Sequence, residues 1–145
     1  MNRSLGRVAV LGGSLLLTAC QPPPDPPPTL AQCGGEYGPP MALFSLFFGR
    51  SIPARGDVTE RQWAEFLDRV ITANLPNGYT VHDATGAWMN PATQRTIREP
   101  TKVLIVALPD VPDSMMAISR IRNAYQVQFR QHRVGMTVRQ ACGSF

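Results

Sequence analysis

The chain predicts an α+β fold, a ferredoxin-like βαββαβ sandwich in which a four-stranded antiparallel sheet carries two helices on one face. Two observations carry that expectation. Between residues 41 and 145 the patterned segments run strand, helix, strand, strand, helix, strand. The first and third strands are also the most continuously apolar runs, and this topology places those two at the centre of the sheet.

Each segment has its own warrant. Met41 to Phe48 (MALFSLFF) is a short apolar run closed by Gly49, which suits a buried strand. Thr59 with Gln62 three residues on makes a capping box, Val58 and Trp63 can form the hydrophobic staple, and Trp63, Phe66, Leu67, Val70 and Ile71 share one helical face. Pro76-Asn77-Gly78 stops that helix. Gly78 to Met89 alternates as a strand with one wetter face or edge, and Asn90-Pro91 begins a turn. Lys102 to Leu108 (KVLIVAL), bounded by Pro100 and Pro109, is the strongest strand in the chain. Asp113 is expected to cap a second helix with Ile118, Ile121, Tyr125 and Phe129 as its core stripe. Val134, Met136 and Val138 alternate in a last strand.

The two central strands are apolar on both sides. Ala42, Phe44, Leu46 and Phe48 share one face of the first, while Leu43 and Phe47 point the other way; Val103 and Ile105 oppose Leu104 and Val106 on the third. Two helices cover only one face. The second calls for a second copy, a ligand, the lead-in segment or a partner protein, and a face-to-face homodimer or an envelope protein partner is the favoured expectation.

Residues 1–19 have the plan of a lipoprotein signal peptide: Arg3 and Arg7, an apolar stretch from Val8 to Leu17, then Leu17-Thr18-Ala19-Cys20. The cysteine directly behind small Ala19 marks Cys20 as the lipidated residue and the membrane as a partner through its acyl chains. Val8 to Leu17 is about half of the roughly 20 residues that a membrane span needs. Gln21 in place of aspartate favours the outer membrane, by resemblance to enterobacterial sorting rules, so the expected location is the bacterial cell envelope, facing the periplasm. Residues 20–40 read as a tether: six of the fourteen prolines lie between Pro22 and Pro28, a run that forms neither helix nor ladder and extends as polyproline II. At about 3.1 Å per residue it holds the domain, residues 41–145, some tens of ångströms from the lipid.

With Cys20 acylated, Cys33 and Cys142 remain, and an even pair in an oxidising compartment predicts a disulfide. Two free thiols, or a catalytic cysteine with His82 or His132, are the alternatives; nothing around either cysteine resembles a nucleophile motif. Loss of Arg3 and Arg7 with the signal lowers the net charge from +4 to +2. A nucleic-acid partner is not expected from that charge and that compartment. Arg120, Arg122, Arg130, Arg133 and Arg139 crowd the last third, either as a solvated face or facing anionic headgroups or an acidic partner.

Chemistry is sparsely signalled. No metal-ligand spacing, cofactor fingerprint or phosphate loop is present, so neither metal nor cofactor is expected. The best polar constellation is Arg98, Glu99 and Lys102 entering the third strand, with His82, Asp83 and Trp88 from the strand before. If those strands pair as a hairpin, Glu99 and Lys102 with His82 would be candidates for acid–base catalysis, and Asp83, Trp88 and Arg98 for binding; structural ion pairing is the plainer reading. The expected function is a lipid-anchored module for binding or self-association through the open sheet face, and the alternative is a small periplasmic enzyme. A tautomerase-like enzyme is disfavoured because an acylated cysteine, not a free proline, would begin the mature chain.

FFGRS (Phe47 to Ser51), VTERQWAEFLDRVIT (Val58 to Thr72), LPNGYTVHDATGAW (Leu75 to Trp88), REPTKVLIV (Arg98 to Val106) and the terminal CGSF together resemble the family called Domain of Unknown Function 3574. The likeness runs from about Phe44 onward. Phe48, Gly49, Trp63, Phe66, Pro76, Gly78, Asp83, Trp88, Glu99 and Lys102 match that family's pattern, whereas His82 stands where the family more often has an apolar residue. The resemblance implies a small exported bacterial protein, often a lipoprotein, and no established activity.

Overall fold

The computed structural model describes residues 32–52, 55–91 and 93–145. The expected signal peptide, the expected lipidation site Cys20 and the proline run lie outside the described residues. Strand β1 (Pro40–Gly49) leads through a two-stranded hairpin, β2 (Ser51–Ile52) and β3 (Gly56–Asp57), into helix α1 (Glu60–Phe66). A π-helical segment (Leu67–Ile71) and α2 (Thr72–Asn74) continue it. Then come β4 (Thr80–Asn90), β5 (Arg95–Pro109), α3 (Pro112–Phe129) and β6 (Gly135–Cys142). The four long strands form an antiparallel sheet in the order β4-β5-β1-β6, so the two apolar runs do occupy the centre. The fold is α+β, with the helical layer on one side of the sheet.

Alternation along β1 decides which side is which. Ala42, Phe44, Leu46 and Phe48 are buried against Trp63 and Phe66 of α1 and Ile118, Ile121, Tyr125 and Phe129 of α3. At one end the rings of Phe48, Trp63, Phe66, Tyr125 and Phe129 pack edge-on or tilted, with centroids from 4.8 to 6.3 Å apart. The capping box of α1 forms: the Gln62 N–H donates to the Thr59 hydroxyl at 3.2 Å, and the Thr59 N–H to Gln62 Oε1 at 2.9 Å. Both staple residues, Val58 and Trp63, are buried.

Three local expectations are corrected. Helix α3 begins at Pro112, and Asp113 lies inside the first turn without capping it; proline takes the first helical position because its missing N–H would go unpaired there anyway. The last strand begins at Gly135, so Val134 precedes it, and Val138 on this edge strand is 49% exposed. And β5 does not stop at Pro100 but runs back to Arg95, so β4 and β5 continue as a two-stranded ribbon past the end of β1. Pro100 is tolerated because its carbonyl and its absent N–H face the β1 side, where β1 has ended and only the Arg50 N–H arrives, at 2.9 Å from the Pro100 oxygen.

Cys33 and Cys142 are disulfide-bonded, with Cα atoms 5.3 Å apart. The bond lies where Pro40 pairs with Cys142, at the opposite end of β1 from Gly49 and its partner Thr101. Ten residues of strand separate the two ends, about 30 Å at the usual rise.

Candidate functional site

The polar side chains singled out in the sequence do gather at the Gly49 end of the sheet, but the sheet divides them. Register places Lys102 opposite Asp83 and Phe48 on the helix side, and Glu99 opposite Gly86 on the open side. Glu99 and Lys102 are three positions apart in one strand, so they point to opposite faces. The structure therefore does not assemble them as an acid–base pair.

On the helix side, Lys102 is buried and its ammonium sits between two carboxylates, 2.5 Å from Asp83 Oδ1 and 2.9 Å from Glu60 Oε2. Burial alone would lower its pKa, but the hydrogen bonds to Asp83 and Glu60 outweigh burial and hold it above the usual lysine value. Glu60 and Asp83 are in turn held below their ordinary values, in each case first by the hydrogen bond from Lys102. Glu60 opens helix α1, where a negative charge is favoured, and its second oxygen pairs with Arg50. Arg50 also donates from Nε to the Val58 carbonyl at 2.7 Å, fastening the exit of β1 to the entry of α1. This network is a structural clasp, with its lysine charged and held between two carboxylates.

On the open side Glu99 lies half-buried across Gly49. Its Oε1 accepts the Trp88 indole N–H at 3.0 Å and its Oε2 the Ser51 backbone N–H at 3.1 Å. A Cβ at position 49 would stand 2.6 Å from that carboxylate, so only glycine lets Glu99 occupy the place. Beneath Gly49, on the helix side, Tyr125 donates its hydroxyl to the Gly49 carbonyl at 2.9 Å, and burial pushes the Tyr125 pKa upward. Among the described residues, no cation lies within ion-pair distance of Glu99.

The remaining candidates separate in the same way. Trp88 is 46% exposed on the open face, and His82, also exposed, lies on that face opposite Val103. Asp83 and Arg98 stand at helix-side register positions, across the sheet from Trp88. A shallow depression of about 290 Å³ is lined by Asp83, Ala84, Thr85, Arg98, Glu99, Pro100 and Thr101 along the ribbon. No group of His, Cys, Asp or Glu able to hold a metal is found among the described residues. Sequence reasoning missed Gly49 and Ser51 as the seat of Glu99, and Arg50 and Glu60 as partners of Lys102. Gly49 carried a signal as the residue closing the first strand; Arg50 carried none.

The fold and this site define a small α+β sandwich with a largely apolar sheet face that the described residues leave open and one oriented carboxylate at its edge. The chain belongs to the family described as Protein of unknown function (DUF3574), whose model matches residues 44–145. Among curated proteins, none matches the chain in sequence. Among solved structures it is similar to a phage SAM lyase in complex with S-methyl-5'-thioadenosine, with a TM-score of 0.54 and 11% identity, over 80% of this chain and 97% of that one. That likeness concerns the fold.

Proposed function

We propose that the protein is a lipid-anchored binding module of the bacterial cell envelope, with a ferredoxin-like sandwich whose open sheet face receives its ligand or partner. The sheet order, with the first and third long strands central, supports the ferredoxin-like assignment. The observation that carries the functional reading is the open face itself. Phe47 is 40% exposed and Trp88 46%, and half-buried Leu43, Val103 and Ile105 lie on the same side. The described chain ends leave Phe47 uncovered, since Gly143 bonds back to Pro39 at the disulfide end.

Anchoring through Cys20 fits the geometry. The described chain begins near the Cys33–Cys142 bond, at the opposite end of β1 from Glu99, so a tether from Cys20 would join the domain at that end. Cys20→Ser should release the protein from membranes and abolish acyl labelling.

Self-association is a second reading, favoured by the continuity of the apolar patch across both central strands. A photo-crosslinking residue at Ser45, in the middle of the open face, tests both in living cells. The binding reading expects strong adducts at Ser45 and few at Val127, which is 81% exposed on α3. Adducts of twice the chain mass mean a second copy, and adducts no more frequent at Ser45 than at Val127 contradict an engaged face.

A further inference from the structure

We infer that the Glu99 end of the open face binds a small organic cation carrying an apolar body, such as a quaternary ammonium or a sulfonium. This rests on the binding reading above and gives that reading a ligand class. The carboxylate has no cation within ion-pair distance among the described residues, although His82, Arg95 and Arg139 stand at other register positions of the same face. Its position is built by other groups: the Trp88 indole and the Ser51 amide each donate to one oxygen, and Gly49 provides the space. A structural clasp of the kind made by Lys102 would bring its own counter-charge. Among the described residues Glu99 has no such counter-charge, and its half-buried carboxylate is reachable from the open face.

The surroundings suit a cation that is weakly hydrated. Trp88 offers an exposed indole beside the carboxylate, and an aromatic face attracts cations, more strongly where water is excluded. Gly86, opposite Glu99, and Ala84, opposite Thr101, keep the floor low, and Phe47 continues it with apolar surface. A metal ion is poorly served, because one carboxylate with both oxygens already accepting hydrogen bonds supplies too few ligands. A primary ammonium would lose more hydration than this face replaces, whereas a methylated head carries no N–H donors that need pairing.

The test uses the mature acylated protein in a maltoside detergent, with choline as the probe and its uncharged carbon isostere dimethylbutanol as the control. The readout is the pair of tryptophan indole N–H signals in a nitrogen-correlated NMR spectrum, assigned with Trp88→Phe. Choline is expected to shift the Trp88 signal saturably and leave that of buried Trp63 in place, with dimethylbutanol at least about tenfold weaker. Glu99→Gln should weaken choline by a similar factor while the remaining spectrum stays dispersed. Should Glu99→Gln fail to fold, saturation transfer to the choline methyl groups compares wild type with Trp88→Phe, which is expected to lose it. Equal response to choline and dimethylbutanol, or no Trp88 shift with choline, overturns the cation site. Crosslinking at Ser45 would be unaffected by that failure, so the two readings fall separately.

Discussion

Trp88 and Glu99 meet diagonally across the β4–β5 ladder: Trp88 is paired with Ile97 and Glu99 with Gly86, yet the indole N–H reaches Glu99 Oε1 at 3.0 Å. The contact ties the ribbon, which extends beyond the sheet, to the start of β2, just past the end of β1, through Ser51. Gly49→Ala should break this arrangement, because the new methyl group would collide with the carboxylate. Because the displaced carboxylate and indole are partly exposed and can turn to water, the expected loss is about 1 kcal/mol or less, measured by denaturant unfolding and accompanied by a shifted Trp88 indole signal.

Tyr125→Phe removes the hydroxyl that bonds to the Gly49 carbonyl from the other side of the sheet. The ring stays in its aromatic cluster, so the expected cost is about 1 kcal/mol in thermal or chemical unfolding, without loss of fold.

The Lys102 network predicts a pH profile of stability. Glu60 and Asp83 are depressed in the folded state, so their contribution is present above the ordinary values of 4.5 and 3.8 and is lost as pH falls through the lower folded values. Lys102 is raised, so its contribution is complete below 10.5 and is lost as pH rises through the higher folded value. Lys102→Met should flatten both limbs. At neutral pH the loss should be small, because both carboxylates are largely exposed to water.

The disulfide closes nearly the whole domain into a loop, with Cys33 and Cys142 standing 109 positions apart. Reduction, or Cys142→Ser, should lower the free energy of unfolding by up to about 4.7 kcal/mol in the chain-entropy limit. Unfolding with and without reductant measures this directly.

Much of the fold was legible because the sequence pattern agrees with itself at several levels. The apolar run from Met41 to Phe48 and the capping box at Thr59 and Gln62 each have one structural solution, and the structure uses it. Pro100 misled because proline reads as a strand end, whereas here its missing donor faces a side where the neighbouring strand has stopped. The candidate site was legible as residues and not as geometry. Strand alternation alone separates Glu99 from Lys102, but the seat of Glu99 depends on Gly49 and Ser51, which approach it only through tertiary pairing of β1 with β5.

The central claim, that the open sheet face is occupied in the envelope, is most directly tested by radical labelling of side chains in native membranes and in purified monomer. Phe47, on the open face, should be labelled several-fold less in membranes than in the monomer, while Val127 on α3 is labelled equally in both. Equal labelling of Phe47 in the two settings would contradict the account.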